Sequence, residues 1–275
     1  MPATPSGPVT PTGPATPRPS SAVVLARPAG GNANGGAGEM DVFMVRRHVR
    51  SEFAPDVYVF PGGSITPADC EAETTPGLCA PAGEGPTALG TGLRVGALRE
   101  LFEEAGVLLA YRRDVPLAIE PEARERFAAY RAELQGGTAA LADVAAREGL
   151  RLATDALVYW AHWITPGALP RRFDTRFFLA EAPADQRPVH DDQEVTDGVW
   201  ITPAAALARQ AAGTFPMVFA TIHQLRELAA RGTLDAVRAH YAATEPATIQ
   251  PLATPAPGGG FLVKLPGDPG DPVRL

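Results

Sequence analysis

Lysine is almost absent from this 275-residue sequence, in which Lys264 is the single example. The remaining basic residues are arginines, scattered along a chain whose 31 acidic residues outnumber its 24 basic ones. With a net charge of −7 and no basic cluster, the sequence lacks the positive surface that nucleic-acid-binding proteins use. We therefore expect no nucleic-acid partner.

Long apolar runs and a secretory leader are also missing. No run reaches the ~18 residues that a membrane span needs, and the first 20 residues lack the basic and apolar regions of a secretory signal. We therefore expect no membrane partner and a cytoplasmic location. Seven of those 20 residues are proline, so residues 1–20 are predicted to form a disordered tail.

Cysteine is scarce as well, with Cys70 and Cys79 the only two. They lie in one Gly/Pro-rich segment and have neither the CxxC nor the Cys/His spacing of a zinc site. A single loop disulfide is unusual in a chain without a secretory signal. We therefore expect two free thiols.

The apolar pattern predicts one α/β domain over residues 21–275, because strands and helices alternate along it. The predicted strands are 21–28, 40–47, 56–60, 156–164, 173–181 and 194–201, followed by a linker at 254–260 and a short terminal strand. The predicted helices are 93–105, 121–135, 138–148, 202–212 and 217–232, with a helical continuation over 233–243. Residues 64–92 show no period and are predicted to be an irregular insert. The segment 217–275 has three interpretations, a lid, a dimer surface or a cover for the core, so a homodimer stays open.

The helix at 93–105, stopped by Gly106, carries three glutamates near its end, Glu100, Glu103 and Glu104. At ~100° per residue, the three carboxylates share an arc about 100° wide, opposite the apolar face. Their mutual repulsion and the helix dipole both disfavour this arrangement. A solvated acidic face is one interpretation. The other is a bound divalent cation, for which a group of carboxylate oxygens suits Mg²⁺ or Mn²⁺.

The segment RELFEEAGV (99–107) resembles the helical half of the Nudix box, G-x5-E-x7-R-E-U-x-E-E-x-G-U, where U is a bulky apolar residue. The loop half resembles FPGGSITPAD (60–69), with Gly63 as the first glycine and Asp69 in place of the usual glutamate. Between Asp69 and Arg99 there are 29 residues where the pattern has seven, which is the insert noted above.

Such an interrupted box resembles the Nudix branch of the peroxisomal acyl-coenzyme A diphosphatases. The segments that carry this likeness are VRRHVRSEFAPDVYVFPGG, WAHWITPGALPRRFDTRFFLAEAP, VWITPAAAL and LPGD. The resemblance implies a Nudix fold, an α/β/α sandwich around a mixed sheet with extra helices. It also implies hydrolysis of a nucleoside diphosphate linked to another group, coenzyme A or acyl-coenzyme A being one such substrate. Two alternatives are a Nudix hydrolase of ADP-ribose, a dinucleotide or a nucleotide sugar, and a non-catalytic ligand sensor, whose mark would be loss of a box glutamate.

The resemblance also implies roles for individual residues. Glu103 and Glu104 are expected to ligate Mg²⁺ or Mn²⁺, and Glu100 to ligate a second ion or accept the proton of the attacking water. The carbonyl of Gly63 is expected to complete the metal shell, and Arg99 to orient Glu103.

The nucleotide-type substrate also needs a binding site, and we expect arginines to contribute because a guanidinium fits phosphate oxygens. Arg46 and Arg172 are the predicted clamps, although strand alternation lets only one of Arg46 and Arg47 point inward. A later acidic loop is expected to add Glu194 to the site, chosen from Asp191, Asp192, Glu194 and Asp197. Aromatic residues of two strands are predicted to be core residues, with base stacking by one as the alternative: Trp160, Trp163, Phe177 and Phe178.

Overall fold

A mixed β-sheet with helices on both faces forms the centre of the fold. The structure is a computed structural model that describes residues 14–31, 39–51, 54–82, 89–190, 194–270 and 272–274. The arrangement confirms the predicted α/β/α sandwich.

The strands and helices in these ranges are as follows. The strands are β1 (Arg18–Pro28), β2 (Met40–Arg47), β3 (Tyr58–Val59), β4 (Gly62–Ser64), β5 (Ala110–Arg112), β6 (Val115–Pro116), β7 (Arg151–Leu152), β8 (Val158–Ile164), β9 (Phe173–Glu181), β10 (Val195–Ile201), β11 (Thr248–Ile249), β12 (Leu252–Pro255), β13 (Phe261–Lys264) and β14 (Val273–Arg274). The helices are α1 (Pro67–Thr74), α2 (Leu93–Ala105), α3 (Arg124–Gln135), α4 (Leu141–Glu148), α5 (Pro203–Ala211), α6 (Phe219–Arg231) and α7 (Leu234–Ala243).

The main sheet has the order β10-β2-β1-β9-β8-β11, with β3 paired to β2 and β4 paired to β1. β1 runs parallel to β9, and β11 runs parallel to β8, while the other pairs are antiparallel. Two small sheets, β6-β5-β7 and β12-β13-β14, lie outside this order.

Both faces of β1 are buried because successive side chains point to opposite sides of the sheet. Val23 and Leu25 belong to a core with α2, α3 and α4. Val24 and Ala26 belong to a second core with residues of α5, α6 and α7. The first of these cores fixes α2, and therefore the glutamates, against the centre of the sheet.

The insert is more ordered than the sequence led us to predict, since it contains α1. Thr66 caps this helix: its hydroxyl accepts from Asp69 N, and its own N–H donates to the Asp69 carboxylate at 2.8 Å. Pro67 follows at the first helical position, where its fixed φ is favourable. The prediction of irregular structure was therefore wrong for 67–74, because this capping box was overlooked among the glycines and prolines.

Several other boundaries differ from the prediction, and two of these differences lie near the ends of the domain. β1 begins at Arg18, inside the predicted tail, because it pairs with β9 from that residue onward; residues 1–13 lie outside the described residues. The predicted linker at 254–260 instead contributes to the β12–β13 hairpin, in which Ala256 N donates to Gly260 O at 3.0 Å.

The structure also bears on the expectations about the cysteines and about membrane-spanning helices. Cys70 and Cys79 are free, as predicted. Of the helices in the described ranges, none combines the length and the apolar character needed to cross a membrane.

Candidate active site

The candidate site is the end of α2, where the three glutamates lie. The helix stops because Gly106 adopts a left-handed conformation, φ 69°, which glycine takes at little cost. The last turn is held by α3, since the Glu103 carbonyl accepts from Arg131 Nε at 2.8 Å and from Gln135 Nε2 at 2.7 Å. These donors satisfy a helix-end carbonyl and put a cation near the negative end of the dipole.

The acidic face of α2 is covered by the sheet. Glu100 is 8% exposed and Glu104 is 3% exposed, while Glu103 is half-buried. β4 lies across this face, and Gly62 N donates to Glu104 Oε2 at 2.9 Å. A solvated acidic face, the alternative interpretation of the sequence, is therefore wrong.

Glycine allows β4 to approach this closely. A Cβ on Gly62 would lie 2.5 Å from the Cβ of Ala22 and from the carbonyl oxygen of Ser21 on β1. A Cβ on Gly63 would overlap the Glu100 carboxylate. The PGG sequence thus allows the main chain to pack between β1 and the glutamates.

Arg99 connects the parts of the site. Its Nη1 donates to Glu100 Oε1 and to Glu103 Oε2, both at 2.9 Å. Its Nη2 donates to the carbonyl of Ser64 at 2.8 Å, and its Nε donates to Asp69 Oδ1 at 3.0 Å. The predicted contact between Arg99 and Glu103 is present, but Arg99 also holds β4 and the insert.

The role of Asp69, which the sequence left open, follows from these contacts. Its side chain is buried, accepts from both Nε and Nη2 of Arg99, and caps α1 through Thr66 N. The shorter aspartate therefore joins the start of the insert to the helix that follows the insert. The five-residue spacing from Gly63 was the sequence signal for this residue.

The buried carboxylates are short of compensating positive charge. Burial raises the pKa of Glu100 to about 7; Arg99 opposes the rise, and Glu103 and Glu194 add to it. Burial likewise raises the pKa of Glu104 well above its usual range, with Glu100 adding to the rise and Gly62 N–H and Arg47 opposing it. Both groups would become more acidic beside an added cation.

The donor set fits a hard divalent cation in its chemistry, since it consists of carboxylate oxygens with a main-chain segment at their side. Glu103 is turned toward Arg99 and Glu104 toward Gly62. Across the parts of the chain that the structure describes, no three acidic, histidine or cysteine side chains form a ready-made metal cage. Ligation would therefore require Glu103 or Glu104 to exchange its present partner for the ion.

A cavity of about 950 Å³ opens beside Glu100 and Glu104, whereas Glu103, which accepts from Arg99, does not line it. Glu100, Glu104, Glu194 and Arg47 line one part of it, together with the backbone of β4. Its volume lies at the upper end of the ~300–1,000 Å³ typical of small-molecule sites. The cavity therefore combines acidic groups, an arginine and space for a large ligand.

Comparison with known families identifies the family of this chain. The family described as NUDT19 Nudix domain matches residues 86–226, just over half of the chain, and this range includes α2 with its three glutamates. The chain belongs to the Nudix hydrolase family.

Curated relatives include several Nudix proteins. A "Putative nudix hydrolase 7" of Caenorhabditis elegans is 26% identical over 78% of this chain and 64% of its own length. An "Acyl-coenzyme A diphosphatase NUDT19" of Gallus gallus is 30% identical over 70% of this chain and 62% of its own length. The chain thus spans about three fifths of the curated relatives it matches.

A solved structure supports the same family and fold. The crystal structure of a NUDIX hydrolase from Alicyclobacillus acidocaldarius is 29% identical to this chain, with a TM-score of 0.65. The match covers 82% of this chain and 96% of that one. The Nudix fold predicted from the sequence is therefore confirmed.

The two arginines predicted to clamp the substrate do not line this Nudix cavity. Arg46 forms an ion pair with Asp56 at 2.8 Å, and its neighbour Arg47 lines the cavity instead. Arg172 donates to the carbonyls of Thr165 and Ala15 and so holds the chain before β1. Alternation along β2 allows one inward arginine of two, and the one that lines the cavity is Arg47.

The acidic loop before β10 is only partly described. Glu194 lines the cavity, and its charge contributes to the raised pKa of Glu100, Glu103 and Glu104. Asp191 and Asp192 lie outside the described residues. Asp197 is engaged elsewhere, accepting from the Tyr58 hydroxyl at 2.6 Å.

The strand aromatics are core residues, as predicted. Trp160 and Trp163 belong to one core and Phe178 to the other, and Phe177 packs against the core of the two tryptophans. Trp163 and Phe177 line the cavity as well.

Proposed function

We propose that this chain is a pyrophosphohydrolase that uses Mg²⁺ or Mn²⁺ to cleave the diphosphate of a nucleoside diphosphate linked to another group. The observation that carries the proposal is the buried carboxylate cluster of α2 opening into the cavity. Its anionic groups would repel a diphosphate unless a cation lay between them. Bound there, a divalent ion would neutralise phosphoryl oxygens and acidify a water molecule.

The residues of the chain then have separate tasks. Glu103 and Glu104 would hold the ion with the Gly63 carbonyl, and Glu100 would either ligate a second ion or accept the proton of the attacking water. Glu194 adds a fourth carboxylate at the cavity wall. Arg99 is a positioning residue, since it fixes Glu103 and Glu100 without lining the cavity.

Arg47 takes the task first assigned to Arg46. It lines the cavity near Glu104, and its Nε is buried with no hydrogen-bond partner in the part of the chain that the structure describes. A guanidinium in this setting suits a phosphoryl oxygen of the substrate. We propose that Arg47 binds the diphosphate beside Glu104.

Coenzyme A or an acyl-coenzyme A is the substrate we favour. Relatives from three vertebrates are called acyl-coenzyme A diphosphatase, and the cavity is large enough for a substrate of this size class. Cleavage would release adenosine 3′,5′-bisphosphate and a phosphopantetheine fragment.

A substrate panel tests the proposal. The purified chain, supplied with Mg²⁺, is incubated with coenzyme A, octanoyl-coenzyme A, ADP-ribose, a dinucleoside polyphosphate and a nucleotide sugar, and the product masses are measured. We expect cleavage within the diphosphate, with the two coenzyme A substrates giving the highest kcat/KM. Removing divalent ions with a chelator should reduce the rate to background, and Mg²⁺ or Mn²⁺ should restore it.

Other results of the panel would redirect the proposal. Highest kcat/KM for ADP-ribose, a dinucleotide or a nucleotide sugar would retain the diphosphatase activity and overturn the coenzyme A assignment. No cleavage of any substrate, combined with ligand binding, would instead support a sensor.

A further inference from the structure

The floor of the cavity is a straight row of paired residues that crosses four strands. Ser64 of β4 pairs with Ser20 of β1, Ser20 pairs with Thr175 of β9, and Thr175 pairs with Trp163 of β8. All four residues line the cavity. Three strand spacings of ~4.8 Å place Trp163 about 14 Å from Ser64, so the cavity runs across the sheet.

The two ends of this row differ in chemistry. Ser64 follows the glycine that contacts Glu100, so β4 marks the acidic end. The end at Trp163 is mainly apolar, and its apolar side chains come from the β8–β9 turn, the segment that leads into α6, α6 itself and the C-terminal sheet: Leu169, Met217, Phe219, Phe261 and Val263. Two arginines, Arg171 of the same turn and Arg274 of β14, also line the cavity. Trp163 and Phe219 are in edge contact, with ring centroids 6.4 Å apart. The apolar end therefore suits an uncharged and apolar part of a ligand.

Part of the cavity wall at the apolar end lies outside the region that the family comparison covers. Phe261 and Val263 belong to β13, beyond the matched residues 86–226. The C-terminal hairpin therefore adds a surface to the cavity that the Nudix match does not assign.

We propose that the apolar end binds the acyl chain of an acyl-coenzyme A, with Phe261 as a residue that sets preference for chain length; this rests on the function proposed above. An extended pantetheine arm has about a dozen bonds between diphosphate and sulfur, and at ~1.2 Å per bond it spans about 14 Å. With the diphosphate at the glutamates, the thioester carbonyl reaches Trp163 and the acyl chain continues onto β13.

The test measures KM and kcat for coenzyme A and its butanoyl, hexanoyl and octanoyl thioesters, with Mg²⁺ present. For the native chain, KM should fall by about threefold to fourfold for each methylene that enters the apolar end. Phe261→Ala should raise KM for the octanoyl thioester about tenfold and change that for coenzyme A less than about twofold.

Leu252→Ala is the matched control, because Leu252 is 54% exposed on the neighbouring strand β12 and does not line the cavity. It should leave every KM in the series unchanged. Thermal unfolding checks that each variant is folded. If Phe261→Ala does not fold, Phe261→Leu replaces it. For Phe261→Leu we expect a smaller rise in KM, again confined to the longer thioesters.

The possible failures can be told apart. If the native chain cleaves none of the series, the coenzyme A assignment of the proposed function fails, and the substrate panel decides whether the diphosphatase activity stands. If it cleaves all members with one KM whatever the chain length, only the acyl assignment is overturned. An equal rise in KM for coenzyme A and octanoyl-coenzyme A in Phe261→Ala would mean that the apolar end holds the adenine or the pantetheine arm. This result would also overturn the acyl assignment.

Discussion

Replacing Glu103 with glutamine should lower kcat for the best substrate by at least about two orders of magnitude while the chain stays folded. Glutamine has the same shape but carries no charge with which to hold a divalent cation. The fold should survive because Arg99 keeps its hydrogen bonds to Asp69, Glu100 and Ser64. Steady-state kinetics with saturating Mg²⁺ measures the loss, and circular dichroism verifies the fold.

Glu125→Gln provides the matched control, since Glu125 is exposed in the first turn of α3. The same chemical change there should leave kcat within about twofold of the native value. Full activity in Glu103→Gln would remove Glu103 from the metal shell. An equal loss in both variants would mean that the effect is not specific to the site.

Replacing Arg99 with alanine should lower the free energy of unfolding by about 3–5 kcal/mol. Arg99 is 9% exposed and forms ion pairs with Asp69, Glu100 and Glu103. Its removal would leave buried carboxylates without their cation, and Asp69 would lose the contact that ties the insert to α2. Urea denaturation near neutral pH, without added divalent ions, measures the change.

Arg46→Ala is the control for this prediction because Arg46 forms an ion pair with Asp56 near the surface, where its side chain is 36% exposed. A pair of this kind contributes at most about 1 kcal/mol. If Arg99→Ala destabilised the chain no more than Arg46→Ala does, the Arg99 cluster would not be what joins the insert, β4 and α2.

The sequence was most informative where a local pattern also determines the structure. The bounds of α2 were predicted correctly because its apolar period ends at a glycine, and Gly106 is the C-cap. β9 also has its predicted bounds, 173–181. The Nudix box could be recognised for the same reason, since its helical half is a contiguous segment.

Contacts between distant segments could not be predicted in the same way. The helical period placed the three glutamates on one face, but it did not show that Gly62 and Gly63 cover that face. Alternation along β2 could not decide between Arg46 and Arg47, because the answer depends on which face of the sheet carries the cavity. The part of the cavity wall formed by β13 depends on the C-terminal hairpin, and the predicted linker at 254–260 covers the turn of that hairpin and the end of its first strand.

The central claim is that the carboxylates at the end of α2 bind a divalent ion which faces the substrate diphosphate. Anomalous diffraction from crystals soaked in Mn²⁺ and a non-hydrolysable diphosphate analogue tests it directly. The account predicts a manganese peak about 2.0–2.3 Å from carboxylate oxygens of Glu103 and Glu104, with a phosphoryl oxygen in the same shell. An analogue bound in the cavity with no manganese at these glutamates would contradict it.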